Sequence, residues 1–376
     1  MTILFDNQIF TWQKFGGISR YFCELMKELN GHAEYKLPLA LSNNIYISKK
    51  NLRKRHPFFP NIDFKGKTRL LNMFNTFNTF IFTILNRFVF IREAIKGKWD
   101  IIHPTYYDPF FLKYINGTPF VITVHDMVHE KFFPRIHKKT IENKKKCIVH
   151  AERIIAISEN TKKDIIEIYN VNPDKIDVIY HGQSADPNVE QKVENLPTNY
   201  ILFVGQRGFY KNFNRFAKAM SMIIKKYPEY HIVCTGSPFT RDEKKMLLNY
   251  DIDDKTHQYF VNEKELTYLY KHATVFIFPS EYEGFGIPIL EAFACGCPVA
   301  LSNTSSFPEI AKDAGTYFDP LNVEDIEQAL FRLIEDVGYR EKCVMLGYQR
   351  VKNFSWKKMA QETLLTYNKA ISEKKS

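Results

Sequence analysis

The sequence predicts an α/β protein with two domains, each built on a parallel sheet that helices cover on both faces. The chain has 376 residues, which is roughly two to three times the common domain size. Short, continuously apolar runs alternate with helical patterns along the chain, and strands that are buried on both faces have this composition. The alternation occurs twice, so we expect two doubly wound, Rossmann-like domains that face a central cleft.

Apolar runs and helical periodicity locate the elements of both domains. Strands are predicted at 100–103, 119–124, 153–157, 175–179, 200–204, 231–235, 274–278 and 298–301. Helices between them are predicted at 160–169, 212–227 and 263–272. Residues 183–199 are rich in Asp, Glu, Asn and Pro and have no periodicity. This composition indicates a linker between a first domain at 1–182 and a second at 200–355.

Composition and charge exclude several classes of protein. Hydrophobic residues make up 45% and charged residues 25% of the chain, which excludes a largely disordered chain, a collagen and a disulfide scaffold. The net charge is +10, from 52 basic and 42 acidic residues, yet residues 49–98 alone contain twelve basic and two acidic ones. Because the remainder is balanced at 40 against 40, we expect one local anionic partner and no nucleic-acid binding.

Leu70 to Ile91 is the most apolar stretch of this basic window. Polar residues that a membrane-spanning helix would have to bury interrupt it: Asn72, Asn75, Asn78, Asn86 and Arg87. Apolar residues at i, i+3 and i+4 spacing predict a long amphipathic helix instead: Leu71, Phe74, Phe77, Ile81, Ile84, Leu85 and Phe88. Such a helix is either an ordinary domain helix or an interfacial one, and the sequence does not decide between them.

The cysteines and the N-terminus indicate a cytoplasmic protein. The six cysteines form no CxxC pair and have no His partners at zinc spacing, as expected of a chain in a reduced, cytosolic setting. Met1 to Phe10 begins directly with a strand-like run and shows neither a basic leader nor a cleavage site. We therefore expect a cytoplasmic localisation.

The most informative segment is 278–298, where a strand leads through a glycine-punctuated loop into a helix. Pro288 stands where the first helical residue belongs, and Gly284 and Gly286 let the backbone approach a ligand closely. Unpaired N–H groups at a helix N-terminus, placed after a parallel strand, attract phosphate or sugar oxygens. The segment therefore predicts a binding site for an anionic or sugar ligand.

Glu283 and Glu291 bracket this turn, with seven residues between them. Each alone is more often a solvated loop acid or a residue that favours the helix dipole, but beside the glycines and the proline they indicate a ligand site. Within EGFGIPILEAFACGCPV, the two glutamates resemble the signature of the GT4 family of retaining glycosyltransferases, the glycosyl transferases of group 1. The resemblance implies that Glu291 binds the ribose hydroxyls of a nucleotide-sugar and that Glu283 contacts the donor sugar.

Arg207 and Lys211 follow the strand at 200–204 in a loop that precedes a helix. Alone they would be solvated surface cations, but they resemble the Arg and Lys with which the family binds the donor phosphates. Departure of a nucleoside diphosphate places negative charge on its oxygens, and fixed cations can stabilise that charge without a metal. The acidic triplet Asp251-Ile-Asp253-Asp254 lies in a polar loop far in sequence from these motifs, so we expect no metal there.

The first domain supplies two further similarities. Gly16-Gly17 resembles the glycine loop that many family members place across the cleft from the donor phosphates, although a plain β–α turn also uses such glycines. His125 and Asp126 resemble the family's His-Asp dipeptide near donor sugar and acceptor. A lone His is often structural, and we assign His125 to sugar positioning rather than general-base chemistry. His103 is interpreted as a candidate cleft-lining residue and Ser158 as a helix N-cap.

These similarities cover nearly the whole chain and imply the GT-B architecture, in which a C-terminal helix at 356–376 crosses back onto the first domain. The catalytic residues that the resemblance implies are Glu283, His125, Arg207 and Lys211. The donor-binding residues that it implies are Gly17, Arg207, Lys211, Glu283, Gly284, Phe285, Gly286, Ile287, Pro288, Ile289 and Glu291. Backbone N–H groups from Phe285 to Ile289 would hold sugar and phosphate oxygens. The front-face mechanism usually proposed for the family requires no enzyme nucleophile.

The predicted function is metal-independent, retaining transfer of a hexose-type sugar from a GDP- or UDP-linked donor, without another cofactor, to a lipid-linked or oligosaccharide acceptor. Mannose, glucose, galactose and N-acetylhexosamine all fit, because hydroxyl discrimination depends on pocket geometry. The expected setting is the synthesis of a cell-surface polysaccharide such as an O-antigen or a capsule.

Residues 31–98 match no motif of the family, so the sequence does not identify the acceptor. Cations beside Phe and Leu in residues 49–98 predict peripheral contact with the anionic inner face of the cytoplasmic membrane. The alternative to an enzyme is a non-catalytic nucleotide-sugar-binding scaffold or sensor in the same pathway.

Overall fold

The computed structural model describes residues 1–49 and 69–375. The middle of the basic window, residues 50–68, lies outside the described residues, so the predicted membrane contact through 49–98 can be followed only in part. The chain divides into two compact units, Met1–His181 with Trp356–Ser376, and Gly182–Ser355.

The first unit contains two three-stranded sheets. Its strands are β1 (Thr2–Phe5), β2 (Glu34–Lys36), β3 (Ile101–His103), β4 (Val121–Val124), β5 (Arg153–Ala156) and β6 (Ile176–Val178). The strand orders are β2-β1-β3 and β4-β5-β6, and a parallel bridge from Ile102 to Phe120 joins the two sheets. The pairings between these strands are parallel, so the carboxyl ends of the strands in each sheet meet at one edge.

Helices connect these strands, as parallel pairing requires. They are α1 (Gln8–Trp12), α2 (Gly17–Leu29), α3 (Ile45–Lys49), α4 (Arg69–Lys96), α5 (Val128–Phe132), α6 (Lys138–His150) and α7 (Glu159–Tyr169), with 3-10 turns at Pro109–Lys113 and Pro173–Lys175. At the start of α7, the Ser158 side chain accepts the N–H of Thr161 at 3.0 Å. This bond confirms Ser158 as an N-cap.

The second unit contains one six-stranded parallel sheet. Its strands are β7 (Asn199–Phe203), β8 (Tyr230–Thr235), β9 (Thr256–Tyr259), β10 (Val275–Phe278), β11 (Val299–Ser302) and β12 (Gly315–Phe318), in the order β12-β11-β10-β7-β8-β9. Its helices are α8 (Phe213–Lys226), α9 (Arg241–Asn249), α10 (Glu263–His272), α11 (Ile287–Ala294), α12 (Phe307–Ala311), α13 (Val323–Glu335) and α14 (Val337–Val351). The two units thus have the doubly wound α/β organisation that the apolar runs predict.

The C-terminal helix α15 (Trp356–Lys375) belongs to the first unit. Its Tyr367 hydroxyl lies 2.6 Å from Nδ1 of His103. Its Lys369 and Thr366 side chains donate to the Asp177 carboxylate at 2.8 and 2.9 Å. These bonds confirm that the chain returns to the first unit after completing the second.

Helix α4 turns apolar side chains away from the protein. The exposed fractions of its large apolar residues reach 39% or more at Phe80, Ile84, Leu85, Phe88 and Ile95. The side turned inward carries Asn86, which is fully buried and hydrogen-bonds Thr11 and the backbone of Ala40 and Leu41. Ile84, Leu85 and Phe88 of the predicted stripe are therefore not packed on a core, whereas Phe90 and Ala94, which lie outside that stripe, are buried. No helix in the described ranges is long and apolar enough to cross a membrane.

Residues 183–199, assigned above as a linker, form part of the second unit. The Gln191 N–H donates to the carbonyl oxygen of Lys264 at 3.2 Å, and the Tyr259 hydroxyl donates to that of Asn195 at 2.7 Å. Val193 is only 8% exposed. The segment lacks periodicity because it runs over α10 and β9 as irregular chain.

Candidate active site

The strand order of the second sheet reverses between β7 and β10. β8 and β9 extend the sheet from β7, whereas β11 and β12 extend it from β10. Ligands of open α/β sheets bind at the carboxyl ends of the strands beside such a reversal. The loop after β7 carries Lys211, and the loop after β10 carries Glu283. The topology therefore brings two of the predicted site residues to one edge of the sheet.

Lys211 and Glu283 form an ion pair at this edge. The Lys211 Nζ lies 2.5 Å from the Glu283 Oε1, and the two side chains are 20% and 15% exposed. The Ser280 hydroxyl donates to the same carboxylate oxygen at 2.7 Å. Burial lowers the pKa of Lys211, but the Glu283 carboxylate and the Tyr210 side chain together outweigh that effect and raise the pKa above its ordinary value. Lys211 is therefore a cation at neutral pH, within reach of solvent.

Two serines from another loop fix the loop that carries Glu283. The Glu283 N–H donates to the Ser305 hydroxyl at 3.1 Å. The Ser306 hydroxyl lies 3.0 Å from the Glu283 carbonyl oxygen and 2.8 Å from that of Phe285. The Ser305 and Ser306 side chains come from the turn after β11, so the sequence motif at 278–298 depends on a second loop. The run SNTSSFPE was the available signal for it.

Gly286 makes the turn into α11 feasible. Its φ is +106°, and a Cβ there would lie 2.9 Å from the Ile289 Cδ1. Pro288 occupies the first turn of α11, as predicted. The Ile289 N–H donates to the Gly286 carbonyl oxygen at 3.0 Å. That intrahelical bond occupies one of the backbone donors assigned to the ligand, whereas Ile287 stands at the very start of the helix.

Glu291 lies one turn further along α11 and is 7% exposed. Phe285 is also buried, and its ring packs edge-on against the Phe354 ring at 6.0 Å between centroids. Gly284 stands between Phe285 and the Glu283 ion pair in the same loop. The contacts of these residues with a donor stay predictions.

Arg207 is held by the protein itself. Its Nε donates to the Glu243 Oε1 at 2.9 Å, and its terminal nitrogens donate to the carbonyl oxygens of Thr235, Ser237 and Pro238. The side chain is 4% exposed. Arg207 thus ties the end of β7 to the loop after β8 and to α9, whereas Lys211 faces Glu283. The two predicted phosphate-binding cations differ in how many of their donors are already used.

His125 lies in the first unit, directly after β4. Its ring stacks on His181 at 5.9 Å and meets Tyr21 edge-on at 5.1 Å. Burial, with smaller contributions from His103 and Lys144, lowers its pKa to about 3, so the ring is neutral at physiological pH. Its Nε2 is buried and has no hydrogen-bond partner among the described residues. A buried nitrogen of this kind fits a residue that hydrogen-bonds a ligand.

His181 was not found from the sequence. It stands after β6 and contacts the His125 ring on one side and the Trp356 ring, at 5.9 Å, on another. Its only sequence signal was its place just beyond a predicted strand. Periodicity cannot show that β4, β6 and α15 bring these three rings together.

Gly17 and His103 complete the predicted residues of the first unit. Gly17 is the first residue of α2, and the place of its missing Cβ has no atom within 4 Å. At Gly16 a Cβ would lie 2.6 Å from the Gln13 Oε1, the end of a flexible side chain that can move, so sterics require glycine at neither position. His103 is fully buried, with Nδ1 bonded to Tyr367 and Nε2 2.9 Å from the Thr123 hydroxyl. It is a structural residue and not cleft lining.

Within the described ranges no group of three or more His, Cys, Asp or Glu side chains is arranged to hold a metal ion. The Asp251–Asp254 loop is part of this region and supplies no such group.

Solved structures share this fold over nearly its whole length. The Anabaena protein HepE, in a crystal structure with UDP and glucose, has a TM-score of 0.72 at 14% identity and covers 98% of this chain and 99% of its own. Two parallel α/β units, each with strands that helices connect, form the GT-B fold of such structures. The fold class predicted from the sequence is thereby confirmed.

Family profiles and relatives then identify the family. Residues 52–187 match Glycosyltransferase Family 4, and residues 185–350 match Glycosyl transferases group 1. O-antigen chain mannosyltransferase B of Escherichia coli is 28% identical over 296 residues, which cover 73% of this chain and 76% of that protein. An uncharacterized glycosyltransferase of Methanocaldococcus jannaschii is 30% identical over 305 residues, with the same coverage. The chain belongs to the family 4, group 1 glycosyltransferases, as its glutamate signature predicts.

Proposed function

We propose that this glycosyltransferase is a retaining, metal-independent hexosyltransferase that uses a nucleotide-sugar donor. The observation that supports it best is the Lys211–Glu283 ion pair at the strand-order reversal, because it places a cation and a carboxylate where an α/β sheet binds nucleotides. The proposed reaction uses no cofactor besides its two substrates, and the donor carries a GDP or UDP group.

The ion pair suggests how the donor would be received. A diphosphate is a stronger partner for an ammonium than a single carboxylate, so its arrival would draw Lys211 away from Glu283. The Glu283 carboxylate, still held by Ser280, could then accept hydrogen bonds from sugar hydroxyls. Lys211 would neutralise the charge that develops on the departing phosphate. No protein nucleophile enters this scheme. Glu283 and a neutral His125 position the donor sugar, and Lys211 stabilises the charge on the departing phosphate.

Arg207 has a different part in the proposal. A direct bond to the diphosphate would require its guanidinium to leave Glu243 or the carbonyl oxygens that it now holds. We therefore assign it mainly to shaping the loops beside the phosphate site, with its charge acting at a distance. Backbone N–H groups at the start of α11, near Gly286 and Ile287, would take phosphate or sugar oxygens, and Glu291 the ribose hydroxyls.

The acceptor and setting are inferred from relatives. The similarity to an O-antigen chain mannosyltransferase of Escherichia coli supports mannose as the first sugar to test and a lipid-linked or oligosaccharide acceptor in cell-surface polysaccharide synthesis. The outward apolar face of α4, beside a basic window, supports peripheral contact with an anionic membrane. The proposed location is accordingly the cytoplasmic face of that membrane.

A donor panel tests the proposal. The purified chain is assayed with GDP-mannose, UDP-glucose, UDP-galactose and UDP-N-acetylglucosamine against lipid-linked and oligosaccharide acceptors, without and with a metal chelator. Transfer from one donor, with retention at the anomeric carbon and no loss on chelation, is the expected result. Calorimetric binding of a nucleotide-sugar without transfer to any acceptor would instead support a non-catalytic scaffold, and inversion would contradict the mechanism.

A further inference from the structure

Lys144, in α6, is buried with 0% of its side chain exposed. Its neighbours Lys145 and Lys146 on the same helix are exposed, so the burial is specific to one position in a run of lysines. Removing an ammonium from water carries a large desolvation penalty that only close partners can offset. None of the predicted site residues explains why a lysine stands there.

The Lys144 ammonium has a partner on each side. Its Nζ donates to the carbonyl oxygen of Asp126 at 3.0 Å and to the Glu130 Oε2 at 3.0 Å. It also lies 4.9 Å from the centroid of the Tyr107 ring. A lysine has three N–H donors. Two go to these oxygens and the third to the Met127 Sδ at 4.0 Å, with the Tyr107 ring beside the charge. The charge is therefore fully compensated inside the protein.

The partners of Lys144 are themselves held in place. Glu130 is 3% exposed, and its second oxygen accepts the Tyr169 hydroxyl at 2.6 Å. The Tyr107 hydroxyl accepts the N–H of His125 at 3.1 Å. Lys144 thus stands at the centre of a buried network that ends on the backbone of His125 and Asp126, the two residues directly after β4.

We infer that Lys144, together with Glu130, is a positioning pair for sugar transfer, because it fixes the backbone that carries His125 and Asp126. The inference rests on the proposed function in one respect, the role of His125 beside the donor sugar. A buried ion pair is weak evidence for stability, since apolar residues of similar volume often serve as well. What an apolar residue cannot do is hold the Asp126 carbonyl oxygen at one place.

The experiment separates positioning from folding. Lys144→Met alone leaves Glu130 buried and unpaired, so the test uses the double variant Lys144→Met/Glu130→Gln, which removes both charges. Its thermal midpoint should stay close to that of the wild type, while kcat falls by about ten- to hundredfold, the range expected when reacting groups are misplaced by about 1 Å. The KM for the nucleotide-sugar should change less than about twofold, because the donor site of the second unit is untouched.

Lys145→Met is the matched control, since it removes an exposed charge from the next position of the same helix; it should leave kcat unchanged. A second readout needs no turnover. In histidine-labelled protein, the ring resonances of His125 should move in the double variant and not in the control. A double variant with wild-type kcat and unmoved His125 resonances would overturn the inference. The resonances do not depend on sugar transfer, so they still test the inference if the chain proves to transfer no sugar.

Glu130→Gln alone keeps the inference testable should the double variant fold poorly. It removes no heavy atom and retains an oxygen for Lys144, so it weakens the network without opening a cavity. We expect the same pattern with smaller effects: a reduced kcat, an unchanged KM and shifted His125 resonances. Wild-type behaviour in both readouts would contradict the positioning role.

Discussion

The two units each contain a lysine–glutamate pair beside a strand end, and the pairs differ in their access to water. In the second unit, Lys211 and Glu283 are 20% and 15% exposed. In the first unit, Lys144 and Glu130 are 0% and 3% exposed. The first unit also turns apolar side chains of α4 outward while it buries these charges.

This difference separates two uses of an ion pair. A pair open to solvent can exchange one partner for a ligand, since the incoming charge compensates the one it replaces. A sealed pair has no route to such an exchange, because each charge would be left uncompensated in a nonpolar interior. The open pair is therefore suited to binding a donor, and the sealed pair to holding backbone in position.

The largest expected effect comes from removing either member of the open pair. Glu283→Gln and Lys211→Ala should each lower kcat by about 10²–10³-fold, the loss typical when one preorganised charge-stabilising group is removed. Lys211→Ala should also raise the KM for the donor, because Lys211 would contact the diphosphate in the ground state as well. Initial rates against donor concentration measure both.

Lys218→Ala is the matched control for these variants, since Lys218 is an exposed cation on the helix that follows the same loop. It should retain wild-type kinetics. Stability by urea denaturation should change little in Lys211→Ala, because its carboxylate partner is left in contact with water. Wild-type transfer by both site variants would refute the donor site.

The sequence was sufficient for residues whose position follows from strand ends. Lys211 and Glu283 each follow a strand that an apolar run predicts, and parallel strands bring their carboxyl ends to one edge. Local rules also placed Pro288 and the Ser158 cap, because both depend on residues within one turn. The paired glutamate signature then fixed the family.

Positions that depend on distant partners were not predictable. The guanidinium of Arg207 is committed to Glu243 and to the loop after β8, which its own segment does not reveal. The buried state of Lys144 is hidden in a lysine run whose other members are exposed. On α4, hydrogen bonds between Asn86 and the chain near Leu41 determine which side is buried. Periodicity alone therefore did not show which side of the helix faces the protein. The strands β2 and β9 have polar compositions and lie at sheet edges.

The first unit should be the more sensitive to acid, because it contains three buried histidines. Burial lowers the pKa of His103 and of His125 to about 3, and lowers that of His181 well below its ordinary value. Between about pH 6.5 and 3 the unfolded chain therefore binds protons that the folded unit does not, and stability falls as pH falls. Burial raises the pKa of Asp6 to about 6, which opposes this trend by one proton.

Near pH 5 the three histidines outweigh Asp6, so the unfolded chain binds more protons than the folded unit and the free energy of unfolding decreases as the pH falls. The tryptophans Trp12, Trp99 and Trp356 all belong to the first unit, so their fluorescence reports on that unit alone. Urea midpoints followed by fluorescence should drop steeply from pH 6.5 to 5. Amide exchange in β7 to β12 should respond less, and a reversed order would contradict the contrast between the units.

The smallest expected effect concerns the outward face of α4. Phe80 and Phe88 are 63% and 66% exposed and lie two turns apart on one side of the helix. If this face enters the interface of a membrane, Phe80→Ser/Phe88→Ser should weaken binding to anionic vesicles by about tenfold, from the apolar area that no longer leaves water. Phe260→Ser is the control, because Phe260 is 84% exposed on the second unit.

Transfer to a water-soluble acceptor should be unchanged in the double variant, because α4 carries none of the donor-site residues. Two results would contradict this role of α4: no binding of the wild-type chain to anionic vesicles at low salt, or equal binding by the double variant. The contrast between the units would then be confined to their buried charges.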